Sequence, residues 1–240
     1  MKLDYLIVIP ARYKSSRFEG KPLAEINGKS MIERVWEKCI KLSPRKCVVV
    51  ATDDKRIFQH CDSKKINVVM TSKKCVTGTD RVAEVSKKIE ANFYVNVQGD
   101  EPLVNPNDIM KVIRDFKKNK ITNCAATIIK DENELNNPNI PKIVSSKKGF
   151  MLYISRSNIP SNKKLNQKKL KKQVCIYCFS KDALSLYGVN SAKTQLEKIE
   201  DIEILRVLEH GIPIRVIDVK SSSIAVDTPE DLIRVKKICK

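Results

Sequence analysis

Along the first 130 residues, apolar runs of strand length alternate with stretches whose apolar positions recur every three or four residues. Residues 3–10 are a nearly unbroken apolar run, as a parallel strand covered on both faces requires. Ser30 followed by Glu33 is a capping-box pattern, and Ile32, Val35, Trp36 and Ile40 continue it at helical spacing. Residues 47–51 predict a second strand, Asp53 and Asp54 a cap, and a helix then runs to about 61. A short strand at 68–70 precedes a helix over 80–91 carrying Val82, Val85 and Ile89, and a fourth strand covers 93–97. Asn105 and Pro106 supply a cap and a first-turn proline ahead of Ile109, Val112, Ile113 and Phe116, and a strand at 124–129 follows. Helices of this length between strands favour right-handed crossovers and an α/β fold with a mostly parallel central sheet.

The rhythm changes near residue 131. Strands at 142–144, 151–154 and 174–179 come without long helices between them. One amphipathic helix is predicted over 196–209, a strand over 213–219, and Thr228, Pro229 and Asp231 launch a final helix. The expectation is a single domain over 1–240, with a smaller mixed lobe at about 131–220 inserted into or wrapped around the sheet. No apolar run reaches the roughly 18 residues needed to cross a bilayer. The first ten residues lack a cleavage site and read as a strand, so a cytoplasmic protein without membrane association is expected.

The net charge of +18 makes nucleic acid, anionic membranes and phosphorylated ligands candidate partners. The positive charge comes from 35 Lys against 11 Arg, and the lysines are scattered along the chain, some in pairs, with little aromatic interleaving. Arginine is the usual reader of bases and phosphates, so a solvated lysine-rich surface is expected and a nucleic-acid partner is not. The densest cluster, 163–172, reads as an exposed loop or a poorly ordered excursion. The 8 cysteines read as reduced thiols. Cys175 and Cys178 alone have zinc-like spacing, but on a strand residues three apart face opposite ways.

On parallel sheets, ligands sit at the carboxyl ends of the strands, which puts weight on the loops there. The first strand runs into Ala11, Arg12, Ser15, Ser16, Arg17 and Lys21, a loop of cations and hydroxyls suited to a polyphosphate, without the spacing of a Walker loop. Gln98-Gly99-Asp100 follows the fourth strand, where a carboxylate behind a glycine is a natural Mg²⁺ ligand or an ordinary turn. Asp227 opens a similarly ambiguous stretch at the last helix, whose carboxylates could simply serve the helix dipole. Thr77, Gly78, Thr79 and Arg81 stand at a helix start that could bind an anion or only cap the helix. Together these loops fit a nucleoside triphosphate whose Mg²⁺ bridges protein and phosphates.

The order and wording of seven segments resemble the 3-deoxy-D-manno-octulosonate cytidylyltransferase (CMP-KDO synthetase) family over nearly the whole chain. They are Ile9-Pro10-Ala11-Arg12-Tyr13, Gly20-Lys21-Pro22-Leu23, Ala51-Thr52-Asp53-Asp54, Gly78-Thr79-Asp80-Arg81, Asn96 to Pro102, Tyr153-Ile154-Ser155-Arg156 and Val226 to Leu232. The resemblance implies a nucleotidyltransferase fold with a dimerising lobe, and hence a homodimer. It implies transfer of CMP from CTP to an acidic 3-deoxy-2-ulosonic sugar, releasing pyrophosphate, in lipopolysaccharide or capsule synthesis. By position, Arg12 and Lys21 would hold the triphosphate with Ser15, Ser16 and Arg17 in support, and Asp100 and Asp227 would hold Mg²⁺. Gln98, Arg156, Gln173, Tyr177 and Glu203 fall at sugar-contacting positions. Gln173 and Ile204 stand where the family carries histidine and glutamine. A relative acting on an amino-deoxy octulosonate or a nonulosonic acid is the nearest alternative. A lysine-rich nucleic-acid binder on a degenerate transferase fold is the alternative from another class.

Overall fold

The structure, a computed structural model, describes residues 2–15, 17–161, 170–221 and 223–239. The alternation of the first half is realised as β1 (Leu6–Ala11), β2 (Glu25–Ile26), β3 (Lys29–Ser30), α1 (Met31–Ile40), β4 (Val48–Thr52) and α2 (Lys55–Ser63). It continues through β5 (Val68–Met70), α3 (Gly78–Lys88), β6 (Tyr94–Val97), α4 (Pro106–Asn119) and β7 (Asn123–Ile128). The second half adds α5 (Glu132–Asn136), β8 (Lys142–Ser145), β9 (Met151–Ser155), β10 (Lys171–Phe179), α6 (Lys181–Ser185) and α7 (Gln195–Glu200). It ends with α8 (Leu205–Glu209), β11 (Arg215–Asp218) and α9 (Pro229–Ile238).

The main sheet has the order β11-β7-β10-β6-β1-β4-β5, with β8 paired to β10 and β9 to β8. β1 is parallel to β4 and β6, β4 to β5, and β7 to β11. β10 is antiparallel to both of its main-sheet neighbours, β6 and β7. Residues 142–218 therefore extend the same sheet through β8 to β11. Alternation within β1 shows why both faces are covered. Ile7 and Ile9 pack in one cluster with Val35, Trp36 and Ile57 of α1 and α2 and Val112 and Phe116 of α4. Leu6 and Val8 pack on the other face with Val82 and Val85 of α3 and Leu205 of α8. Cys178 belongs to the first cluster and Cys175 packs against the second, the opposed facing that their spacing predicts.

The helix caps follow the sequence. Ser30 accepts from the Glu33 amide at 3.3 Å, and its hydroxyl also meets His60 Nε2 at 2.8 Å. Asp54 caps α2, Asn105 caps α4, and Thr228 with Asp231 forms a capping box on α9. Two expectations fail. The helix predicted over 196–209 is two helices, broken at Asp201, whose φ of 48° is left-handed. The break is held from outside, because Arg156 Nε donates to Glu200 O at 2.6 Å and Nη2 to Asp201 O at 3.0 Å. Second, the segment 163–172 is not all loop. Its part up to 169 lies outside the described residues, but Lys171 and Lys172 are in β10, paired with Asp218 at 2.6 Å and Glu134 at 2.5 Å.

A buried ionic knot fixes the second half against α3. Arg206 of α8 donates to Glu197 of α7 at 2.6 and 2.8 Å and to Asp80 of α3 at 3.3 Å. All three side chains are essentially inaccessible to solvent. Removing one partner of a buried pair leaves an uncompensated charge, which is far costlier than losing a surface pair. Glu197→Ala should therefore cost about 3 kcal/mol of folding free energy, read as a lower urea midpoint with an unchanged slope.

Candidate active site

The carboxyl ends of β1 and β6 and the antiparallel entry of β10 meet at one edge of the sheet. Gln98, just past β6, donates its amide to Cys175 O at 3.2 Å, which brings β10 beside the end of β6. A cleft opens there. It is lined by Ala11, Arg12, Ser15, Arg17 and Lys21 from the first loop, and by Gln98, Asp100 and Asp227. Thr77, Gly78, Arg81, Arg156, Gln173, Tyr177 and Glu203 line it as well. Of the residues expected from sequence, Ser16 lies outside the described residues, and Thr79 is buried behind the wall.

The loop after β1 turns back at Gly20, whose φ of 69° is left-handed and whose amide donates to Tyr13 O at 2.9 Å. A short 3-10 turn from Lys21 to Leu23 follows and aims Lys21 inward. Lys21 Nζ donates to Asp100 Oδ2 at 2.8 Å and to Asp227 Oδ1 at 3.2 Å. Two aspartates far apart in sequence thus share one cation. Burial works against the Lys21 ammonium, but Asp100 and then Asp227 outweigh it, and its pKa is raised above the ordinary lysine value. Arg17 reaches the same Asp227 oxygen at 3.3 Å and donates to Asn139 Oδ1 at 3.2 Å. Arg12 is exposed and makes no ion pair with another described residue.

What brings Asp227 to Asp100 is backbone and loop chemistry. The Val226 amide donates to Asp100 O at 2.9 Å. Ser223 Oγ donates to the buried carboxylate of Glu101, which burial pushes to a higher pKa. Gly99 lets the Asp100 loop pack against the end of β1, since a Cβ there would stand 2.7 Å from Pro10 O. The carboxylates beyond Asp227 have a different duty: Asp231 accepts from the Thr228 amide and serves the cap of α9.

The start of α3 already holds an anion. Glu203 accepts from Gly78 N at 3.0 Å, Thr79 N at 2.7 Å and Thr79 Oγ1 at 2.5 Å. Thr79 therefore has its amide and hydroxyl committed to Glu203 and does not reach the cleft. Burial raises the Glu203 pKa, against the hydrogen bonds from Thr79 and Gly78. Arg81 is likewise engaged, with Asp53 at 2.9 Å and Thr71 Oγ1 at 2.8 Å.

On β10 the register shifts between Val174 and Tyr177, a bulge that bends the strand. Across it, Gln173 Nε2 donates to the Tyr177 hydroxyl. Burial, then Cys175 and Glu203, push that phenol well above its ordinary pKa, so it keeps its proton. Arg156 spends three of its five N–H groups on the carbonyls of Glu200, Pro138 and Asp201, leaving two for the cleft. Asn139, Lys193 and Asp201 also line the cleft and were not foreseen. Lys193 pairs with Asp201 at 2.8 Å, and this hydrogen bond holds the Asp201 carboxyl below its usual range. These three sit in segments without a local signature, so only the fold brings them forward.

Two carboxylates gathered around one cationic nitrogen are a donor set suited to a hard divalent ion, which commonly takes one or two carboxylates and completes its shell with phosphate and water. No cluster of three or more His, Cys, Asp or Glu side chains able to hold a metal occurs among the described residues, so a nucleotide would have to supply the remaining ligands.

The profile of the cytidylyltransferase family matches residues 6–220. A 3-deoxy-manno-octulosonate cytidylyltransferase of Syntrophotalea carbinolica is 40% identical over 240 residues, spanning 95% of this chain and 96% of the relative. The enzyme of the same name from Protochlamydia amoebophila is 41% identical over 245 residues, spanning 97% and 93%. Among solved structures, a CMP:2-keto-3-deoxy-manno-octonic acid synthetase complexed with CTP superposes with a TM-score of 0.89 at 36% identity, covering 98% of this chain and 97% of that one.

Gly99 offers a direct check of the site's construction. Gly99→Ala must displace either Pro10 or the Asp100 loop, and it should cost about 1–3 kcal/mol of stability, measured by urea unfolding.

Proposed function

This chain belongs to the cytidylyltransferase family, and we propose on that premise that it activates 3-deoxy-D-manno-octulosonate with CTP, giving the CMP-sugar and pyrophosphate. The convergence of Asp100 and Asp227 on Lys21, beside a basic loop at the end of β1, is the observation that carries this reading. Ala11, Arg12, Ser15, Arg17 and Lys21 would receive the triphosphate. Asp100 and Asp227 would hold Mg²⁺. When bound, that ion supplies charge that polarises the α-phosphate and lowers the pKa of the attacking anomeric hydroxyl.

The remaining work falls to side chains in place. Lys21, charged at neutral pH, neutralises the negative charge that builds on the α-phosphoryl oxygens during in-line attack. Arg12 is free to meet the outer phosphates. The two unused N–H groups of Arg156 suit the sugar carboxylate. Gln173 donates to the Tyr177 oxygen, and this linked pair on β10 would shape the pocket for the sugar. Gln98 and Glu203 complete the acceptor side of the same pocket. Because the anions and the sugar are held in one geometry, positioning and electrostatics suffice and no covalent intermediate is needed.

The same reading places the enzyme in the cytoplasm, at the step feeding lipopolysaccharide or capsule synthesis. It also carries a homodimer. Leu152 of β9 and Ile199 of α7 are exposed apolar side chains on elements joined by the Ser155–Glu200 hydrogen bond, and they are candidate contact residues. No helix among the described residues is long and apolar enough to cross a membrane.

Pyrophosphate release from CTP that depends on added 3-deoxy-D-manno-octulosonate is the primary test. Salt-sensitive duplex binding with no CTP turnover would instead favour a nucleic-acid role. Asp100→Asn should slow CMP transfer by about a hundredfold or more, and near-normal turnover would remove Asp100 from the reaction. Gln173→His should change relative kcat/KM across a panel of ulosonic acids by roughly tenfold. An unaltered ranking would take Gln173 out of the sugar pocket.

A further inference from the structure

Two cations and two carboxylates of the cleft form one chain of ion pairs. Lys21 lies between Asp100 and Asp227, and Arg17 is shared by Asp227 and Asn139. The side chains of Lys21, Asp100 and Asp227 are only 15%, 24% and 27% exposed, so these charges are poorly screened by water. The Lys21 nitrogen is within hydrogen-bond reach of one oxygen from each aspartate. A divalent ion held by the same two carboxylates would therefore contend with the ammonium for them. A free divalent ion must displace an ammonium that has nowhere equally favourable to go. A free triphosphate must detach the same ammonium from its carboxylates and leave them facing one another.

We infer that Lys21 is an internal stand-in for the metal, so that nucleotide and divalent ion bind by exchange of partners: the phosphates take Lys21 and Arg17 as the ion takes Asp100 and Asp227. This rests on the nucleotide-binding role proposed above. Each ligand is weak alone and strong with the other, and linkage makes the enhancement reciprocal. Lys21 then has two duties, one in the filled cleft and one in the empty cleft. The second makes the protein unreceptive to metal until nucleotide is present.

The exchange is measured without catalysis, by calorimetric and spin-resonance titration of Mn²⁺ into wild type, Lys21→Met and Arg17→Gln, with and without CTP and with no sugar acid. Wild type should bind Mn²⁺ weakly alone and at least about tenfold more tightly with CTP. Lys21→Met should bind Mn²⁺ alone about tenfold more tightly than wild type and gain much less from CTP. Arg17→Gln, altered at a half-exposed side chain, should shift Mn²⁺ affinity in the same direction by a few-fold. It carries the comparison if Lys21→Met does not fold. Equal Mn²⁺ affinity in wild type and variants, or the same enhancement by CTP in all of them, overturns the inference. Absence of CTP binding even with Mn²⁺ would instead sink the nucleotide role, while the metal-only titrations would still decide whether Lys21 guards the aspartates.

Discussion

Two aspartates that repel one another are held side by side by a single ammonium, and much of the cleft is arranged to make that possible. Asp100 lies in the turn after a parallel strand and Asp227 precedes the last helix, yet Lys21 hydrogen-bonds to both. The Val226 amide and the Ser223 hydroxyl bring the two loops together, and the bare Cα of Gly99 lets the Asp100 loop close on β1. At separations of a few ångströms and partial burial, like charges cost several kcal/mol unless a cation lies between them. The sheet supplies rigidity, but the charge balance decides where these loops rest.

A second charge balance, at the start of α3, has the opposite sign. The helix N-terminus favours an anion, and Glu203 provides it from within the chain. This turns a generic anion site into a fixed wall of the cleft. Glu203 is delivered there by the break at Asp201, and the buried Arg206–Glu197–Asp80 knot pins the segments on either side. The Glu203 wall of the cleft is thus built on buried ions, whereas Arg12 and Arg17 on the opposite loop are open to solvent.

Sequence reasoning reached the strands and caps because their causes are local. Alternation within Leu6 to Ile9 follows from a sheet covered on both faces, and Thr228-Pro229 with Asp231 specifies a helix start unaided. The motif residues of the cleft were legible for the same reason: cations and carboxylates after strands are informative on an α/β sheet. The break in the predicted 196–209 helix was not. It contains neither glycine nor proline, and the carbonyls it exposes are satisfied by Arg156, whose side chain comes from the far end of β9, distant in sequence. Asn139, Lys193 and Asp201 were missed because nothing in their own neighbourhoods points to a ligand. The commitment of Thr79 to Glu203 was invisible because the two are 124 residues apart.

The position of β10 bears on how the chain reaches this state. It is inserted between β6 and β7 and runs against both. Until residue 179 has been made, those two strands have no shared neighbour, and each presents an unsatisfied row of amides and carbonyls. A nascent chain that has finished every parallel strand except β11 still lacks the piece that joins them. Assembly of the sheet must therefore wait on a late, long-range insertion, which is slow by the entropy of closing the loop. The strand that joins the two halves of the sheet is also the one that carries Gln173 and Tyr177, so the cleft cannot form before those halves are joined.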